Sequence, residues 1–148
     1  ANKNWIWIIL VFVFIIIVIE SIFPGGIAKW EEQMMSQVLI AYSTTDGQTK
    51  KICNHIEAAI QKSGSTVITK PVDKVIQDDL LNADKIIVGA SIRYGKHSKQ
   101  IYSFIDTYHE VLADKTNAFF SVNLVARKAE KNTAETNPYV KKFLKQIC

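Results

Sequence analysis

From residue 35 onward, short apolar runs that predict strands alternate with longer segments whose apolar residues have helical spacing. Residues 37–42 (QVLIAY) form a short apolar run, as expected of a parallel strand buried on both faces. The next apolar residues share the spacing i, i+4, i+7 and i+8 of one helical stripe: Ile52, Ile56, Ala59 and Ile60. Gly64 is placed to end that helix. Residues 66–72 (TVITKPV) are more polar and contain Pro71, which suits a strand at the edge of a sheet.

The second half of the chain repeats the alternation. Residues 85–92 (KIIVGASI) and 117–125 (NAFFSVNLV) predict two further strands. A second helix is predicted between them, from His97 to Leu112, and its apolar members share helical spacing: Ile101, Phe104, Ile105, Tyr108 and Leu112. Asn137 is placed to cap a last helix that Pro138 opens. This βαβ order predicts an α/β fold, a doubly wound parallel sheet with helices on both faces.

Four main strands are visible in this pattern. In a doubly wound sheet of order 2-1-3-4-5, a fifth strand would pair with residues 117–125. We therefore predict the order 2-1-3-4 with the fifth strand missing, so that the domain is incomplete at its C-terminus. The last strand should then present a bare apolar edge.

Residues 1–34 have a different character from the rest of the chain. Trp5 to Ile19 are fifteen apolar residues without a break. A helix of that length reaches roughly 22 Å, against about 30 Å for the hydrocarbon core of a bilayer, and Trp5 and Trp7 suit a membrane interface. We expect residues 1–34 to be one apolar helix, a membrane-inserting or leader-like segment, and residues 35–148 to be the folded domain. The alternatives are the apolar region of a signal peptide or an unrelated upstream sequence.

Composition and charge limit the function classes. An apolar fraction of 48% is too high for a disordered chain. The net charge is +4, and because residues 1–34 carry two lysines against three glutamates, residues 35–148 carry +5. This mild basicity favours an anionic ligand or membrane surface and does not indicate nucleic acid. The two cysteines, Cys53 and Cys148, form no CxxC pair, so neither a disulfide framework nor a metal site is predicted.

Three loops are predicted at the carboxyl ends of the strands, where open α/β sheets bind ligands. The first loop, residues 43–49, is rich in hydroxyl groups and leads into a helix. Backbone N–H groups, the positive helix end and hydroxyl groups together make a phosphate site. The alternative is an ordinary helix cap, since Ser, Thr and Asp are common at that position. The chain has no GxGxxG and no GK[ST] motif, which argues against dinucleotide and P-loop sites.

The other two loops offer different chemistry. The second loop, residues 90–95, contains Tyr94, whose ring could stack on a flat heterocycle. The simpler interpretation is a tyrosine that is exposed on the surface. The loop that starts at Asn123 and runs to Asn137 is long and basic. His97 could relay protons, but a histidine at the start of a helix is more often merely exposed.

Together, a phosphate loop, an aromatic loop and a third loop resemble the flavodoxin-like family. The longer stretches YSTTDGQT (42–49), VGASIRYGKH (88–97) and FFSVNLVARKAEKNTAETNPYVKKFL (119–144) are similar to the quinone-dependent protoporphyrinogen IX dehydrogenases of that family. The resemblance covers nearly all of residues 36–147 and none of residues 1–34. Asp46 stands where flavodoxins usually carry threonine, and we expect its carboxylate to turn away from the phosphate and cap Thr49 and its neighbours.

The resemblance implies FMN as the cofactor. The residues of this chain that the resemblance implies for FMN binding lie in the three loops: Ser43, Thr44, Thr45, Gly47, Gln48, Thr49, Ser91, Ile92, Arg93, Tyr94, Gly95, Asn123, Leu124 and Val125. It also implies a flavoprotein oxidoreductase of haem biosynthesis that oxidises protoporphyrinogen IX and passes electrons to menaquinone or ubiquinone. Arg93, Arg127 and Lys128 are then the expected partners of the substrate propionates. No catalytic residue is assigned.

The sequence leaves two alternatives open. One is a generic flavodoxin-like quinone reductase or electron carrier, and the other is an inactive truncated fragment. Because a quinone acceptor is confined to the bilayer, we expect the protein at the cytoplasmic face of the inner (plasma) membrane.

Overall fold

The structure is a computed structural model that describes residues 35–147. Its strands are β1 (Gln37–Ser43), β2 (Thr66–Pro71), β3 (Lys85–Arg93), β4 (Lys96–His97) and β5 (Thr116–Val122). Four of them form a parallel sheet in the order β2-β1-β3-β5. The short β4 pairs antiparallel with the end of β3. The predicted α/β fold and order of the four main strands are therefore confirmed.

Among residues 35–147, five helices pack with the sheet: α1 (Gln48–Lys62), α2 (Gln77–Asn82), α3 (Lys99–Thr107), α4 (His109–Asp114) and α5 (Pro138–Ile147). Short 3-10 turns lie at Val72–Lys74, Leu124–Arg127 and Ala129–Lys131. Within residues 35–147, no helix has the length and apolar character needed to cross a bilayer. The apolar segment predicted at residues 1–34 lies outside the described residues.

The core lies on both faces of the sheet, because side chains alternate along β1. Leu39 and Ala41 face the larger cluster, which includes Phe104 of α3 and Phe143 of α5. On the other face, a smaller cluster packs against α1: Val38, Ile40, Tyr42 and Cys53. A strand buried on both faces reads as a continuous apolar run, as residues 37–42 do.

The orientation of α1 differs from the prediction. Ile52 and Ala59 are exposed, whereas Thr49 and Cys53 are buried and Ile56 is partly buried. The helix is thus rotated by about one position relative to its most apolar stripe. This rotation buries the hydroxyl-bearing residue of its first turn. Burial also raises the pKa of the Cys53 thiol to about 11, which makes it a poor nucleophile.

The prediction of a single helix from His97 to Leu112 is wrong both at the start and in the middle of that segment. His97 belongs to β4, and the helical region divides at Tyr108 into α3 and α4. The Tyr108 hydroxyl donates a hydrogen bond to the Val75 carbonyl oxygen at 3.4 Å, a contact with a distant segment that periodicity does not reveal.

Strand ends also differ from the prediction. β3 continues to Arg93, and β5 ends at Val122 rather than Val125. The side chain of Asn123 accepts a hydrogen bond from the Ala126 backbone N–H at 2.9 Å, which turns the chain out of the sheet. On its outer side β5 has no partner strand among residues 35–147.

Candidate functional site

Three loops meet at the carboxyl edge of the sheet. β3 lies between β1 and β5 and pairs in parallel with both, so the segments that follow these three strands are neighbours. The structure thus brings the predicted phosphate loop, the aromatic loop and the loop after β5 to one edge. This is the usual position of a ligand in an open α/β sheet.

The first loop leaves the N-terminus of α1 without a side-chain cap. Gly47 occupies the cap position at a φ of 79°, and no side chain of the described residues caps the helix there. Thr44 supports this turn, because its Oγ1 accepts the Gly47 backbone N–H at 3.0 Å. The first-turn N–H groups and the positive end of a fifteen-residue helix are therefore suited to an anion. The alternative of an ordinary side-chain cap is wrong.

Thr49 is the most informative residue of this loop. It is 0% exposed, and its Oγ1 has no hydrogen-bond partner among the described residues. An unpaired buried hydroxyl is costly, so a ligand oxygen at this position would be stabilising. Ser43 is less available, because its Oγ lies 2.7 Å from Oγ of Ser98, the residue that caps α3. Ser98 was not predicted as part of this region, although a serine just before a helical stripe is a recognisable cap signal.

Asp46 makes a contact that the sequence did not indicate. Its Oδ1 accepts a hydrogen bond from Nη1 of Arg93 at 2.7 Å, which joins the first loop to the second. The carboxylate therefore does not cap Thr49, and that part of the prediction is wrong. Arg93 was predicted to hold a substrate propionate, but here its guanidinium is already paired with a carboxylate.

Tyr94 stands at the tip of a tight hairpin between β3 and β4. Arg93 pairs with Lys96 across a two-residue turn, and both turn residues have positive φ, 50° at Tyr94 and 73° at Gly95. Glycine adopts this conformation readily, whereas a tyrosine there is strained. Tyr94 is 90% exposed, and the Arg93 guanidinium lies 5.4 Å from the centre of its ring. An exposed aromatic ring held in a strained turn is typical of a functional position.

The third loop is organised by two asparagines. Oδ1 of Asn123 accepts hydrogen bonds from the Ala126 N–H and from Nδ2 of Asn137, at 2.9 and 3.0 Å. Asn137 is buried, and its Oδ1 caps α5 as predicted. Leu124, next to Asn123, is 82% exposed. The loop therefore offers an apolar surface after β5, the neighbour of the strand β3 that leads into the Tyr94 turn.

The two basic residues predicted to bind substrate differ in exposure from the histidine predicted nearby. Arg127 and Lys128 are exposed, and neither forms an ion pair within the part of the chain that the structure describes. His97 is buried rather than exposed, with its Nε2 3.0 Å from Oγ of Ser121. Burial lowers its pKa to about 4, so the imidazole is neutral near pH 7.

Known proteins are similar to this chain in sequence. The chain is 38% identical over 108 residues to protoporphyrinogen IX dehydrogenase [quinone] of Escherichia coli (strain K12), which covers 73% of this chain and 60% of that protein. It is 43% identical over 111 residues to the protein of the same name from Leishmania major, covering 73% of this chain and 47% of that protein. The chain thus spans 60% or less of the length of these relatives.

A solved structure agrees on the fold. A Fusobacterium nucleatum flavodoxin mutant bound to flavin mononucleotide superposes with a TM-score of 0.55 at 17% identity, covering 78% of this chain and 66% of that one. The family model described as "Flavodoxin domain" matches residues 39–148. With a parallel sheet in the order β2-β1-β3-β5 and a family match over most of its length, the chain belongs to the flavodoxin-domain family.

Proposed function

We propose that this domain binds FMN at the carboxyl edge of its sheet and takes part in the quinone-dependent oxidation of protoporphyrinogen IX. One observation carries the cofactor assignment. Thr49 lies in the uncapped first turn of α1, and its buried hydroxyl has no hydrogen-bond partner within residues 35–147. A bound phosphate oxygen would supply that partner. Flavodoxin-domain membership and the flavin mononucleotide in the related Fusobacterium structure support the same cofactor.

The chemical groups of the site match the parts of FMN. The hydroxyl and N–H groups of residues 44–49 would hold its phosphate. Gly47 contributes backbone only, and its positive φ disfavours any side chain there. Tyr94 and Leu124 offer exposed apolar surfaces for the flavin ring, with residues 91–95 and 123–125 around them. When bound, FMN supplies two-electron redox chemistry, while the protein positions the reactants and excludes water.

The substrate assignment rests on the two dehydrogenases to which the chain is similar, since both are named for protoporphyrinogen IX and quinone. Conversion of protoporphyrinogen IX to protoporphyrin IX removes six electrons and six protons, which three quinones take up as three quinols. Arg127 and Lys128 are exposed on the third loop and available to substrate carboxylates.

We place this reaction at the cytoplasmic face of the inner (plasma) membrane, with menaquinone or ubiquinone as the acceptor. A quinone is confined to the bilayer, so the flavin must work at the membrane surface. The apolar run from Trp5 to Ile19 supports this location. We favour the cytoplasmic side because free FMN is found in the cytoplasm and because cysteines stay reduced there.

Replacing Thr49 with valine should separate ligand binding from stability. Valine has the shape of threonine without the hydroxyl, so the ligand-free protein should be equally stable or more stable, because an unpaired buried polar group is removed. FMN affinity should fall by about 1–2 kcal/mol, or about 5- to 30-fold, for the lost charge-assisted hydrogen bond. Flavin fluorescence titration and urea denaturation of the whole chain measure the two effects.

Thr69→Val is the matched control. Thr69 also has a buried hydroxyl with no partner among the described residues, but it lies within β2, a strand that none of the three loops follows. Its replacement should leave FMN affinity unchanged. Equal FMN affinity in Thr49→Val and the wild type would remove the phosphate assignment.

A separate assay tests the substrate. If FMN binds but the loaded chain does not oxidise protoporphyrinogen IX with added quinone, the alternative of a quinone reductase or electron carrier is favoured instead.

A further inference from the structure

A second concave site lies beside the candidate flavin site. A cavity of about 440 Å³ lies between β4, α3 and α5, which is within the range of small-molecule sites. Three lysines line it, one from each element: Lys96, Lys99 and Lys142. Tyr102 and Tyr139 add aromatic rings. The cavity therefore combines positive charge with flat apolar surface.

The charge in this cavity is not compensated. No aspartate or glutamate lines it, and none of its three lysines forms an ion pair within residues 35–147. Its one histidine, His97, is buried against Phe143 with ring centres 4.5 Å apart. Three ammonium groups around one cavity attract an anion with more than one negative charge. Since Lys pairs with carboxylates as a point charge, the site does not demand one fixed ligand geometry.

The cavity and the candidate flavin site share one hairpin. Tyr94 stands at the tip of the β3–β4 turn, and the next two residues, Gly95 and Lys96, line the cavity. A ligand that reaches from the flavin ring past this turn would meet the lysines. Arg93, on the other strand of the same hairpin, is held by Asp46 and is less available to such a ligand.

We propose that this cavity binds the carboxylate side chains of a dicarboxylic tetrapyrrole, with Lys96, Lys99 and Lys142 as the charge partners and Tyr102 and Tyr139 beside the ring edge. This inference rests on the proposed function and adds a substrate-binding site to it. The cavity is too small for a whole macrocycle, so it takes the edge that carries the propionates. In this proposal Lys96, on the opposite strand of the hairpin, pairs with the substrate propionate that the sequence predicted for Arg93.

Protoporphyrin IX, the stable oxidised product, is the probe for this site. We compare its affinity for the whole FMN-loaded chain and for a Lys96→Gln, Lys142→Gln double variant by porphyrin fluorescence titration. Loss of two partly exposed charge pairs should weaken binding about tenfold. The matched control is Lys141→Gln, Lys145→Gln, which removes two exposed lysines of α5 that do not line the cavity and should leave the affinity unchanged.

Protoporphyrin IX dimethyl ester tests whether carboxylates are recognised. The ester carries no negative charge, so the wild type and the double variant should bind it equally. Lys96→Arg, Lys142→Arg should restore affinity for the acid, because it restores the charges. Equal affinity of the wild type and the glutamine variant for the acid would overturn the proposal, as would an equal loss for acid and ester.

A membrane role for the same lysines is a distinct outcome. If the glutamine variant binds vesicles of anionic phospholipid less well but keeps its affinity for protoporphyrin IX, the lysines serve a lipid surface and the proposal fails. FMN titration of the same variants reports on the proposed function separately. A chain that binds FMN but not protoporphyrin IX refutes the cavity and leaves the flavin site intact, whereas a chain that binds no FMN refutes the flavin site.

Discussion

Replacing Phe143 with alanine should lower the free energy of unfolding by about 3–5 kcal/mol, the usual loss for a large aromatic core residue. Phe143 is 0% exposed. Its ring centre lies 4.7 Å from that of Phe119, 4.5 Å from His97 and 5.1 Å from Tyr102. It is the fully buried side chain through which α5 contacts β5, β4 and α3. Urea denaturation of the whole chain, followed by circular dichroism, measures the loss.

Leu144→Ala is the control for this prediction, because Leu144 is the next residue of α5 and is only partly buried. It should cost less than half as much, since the removed surface is already partly in water. Phe143→Leu should lose about 1–2 kcal/mol, because most of the volume is kept. Equal losses for Phe143→Ala and Leu144→Ala would show that α5 does not depend on the aromatic cluster.

Acid should destabilise the domain through His97. Burial lowers the pKa of this imidazole from 6.5 to about 4. Above pH 6.5 both folded and unfolded forms are neutral at this residue, so it adds no pH dependence. Between pH 6.5 and about 4 only the unfolded chain binds the proton, so stability falls as pH falls. The loss is at most about 3 kcal/mol, at 1.36 kcal/mol per pKa unit.

His97→Gln isolates this contribution, because glutamine keeps a hydrogen-bonding group near Ser121 but does not titrate. Urea denaturation at several pH values gives the free energy of unfolding of both proteins. The value for the wild type minus the value for His97→Gln should decrease as pH falls from 7 to 4. His55→Gln, which changes an exposed histidine, should leave the slope of the wild type intact. A difference between the wild type and His97→Gln that is the same at pH 7 and pH 4.5 contradicts the prediction.

Local patterns predicted the architecture well for a physical reason. A strand buried on both faces must be apolar throughout, and residues 37–42 and 85–92 show that run at β1 and β3. The βαβ alternation predicted a parallel doubly wound sheet, since crossovers are right-handed, and the strand order was that of the common 2-1-3-4-5 arrangement. The three loops could be placed together because parallel neighbours end at one edge. The helix cap at Asn137 was also visible, since a cap is a local interaction.

Contacts between distant segments were not visible in the sequence. Asp46 and Arg93 are 47 residues apart and meet only because β1 and β3 are neighbours. The rotation of α1 that buries Thr49 reflects how the helix packs on the sheet, and apolar periodicity alone favoured Ile52. Likewise, a helical pattern that extended back to His97 hid the short strand β4.

The sequence by itself determined the four main strands and the helical regions between them, because each depends on the periodicity of nearby residues. The edge of the sheet that carries the loops followed, because parallel strands end at one edge. Only the tertiary structure decided which polar groups are satisfied and which are left for a ligand. Ser43 is paired with Ser98, whereas the buried hydroxyl of Thr49 has no partner among the described residues. The same holds for charge: Arg93 is neutralised by Asp46, while Lys96, Lys99 and Lys142 gather around one cavity. Pairing and burial depend on which segments meet in space, and that information is not local.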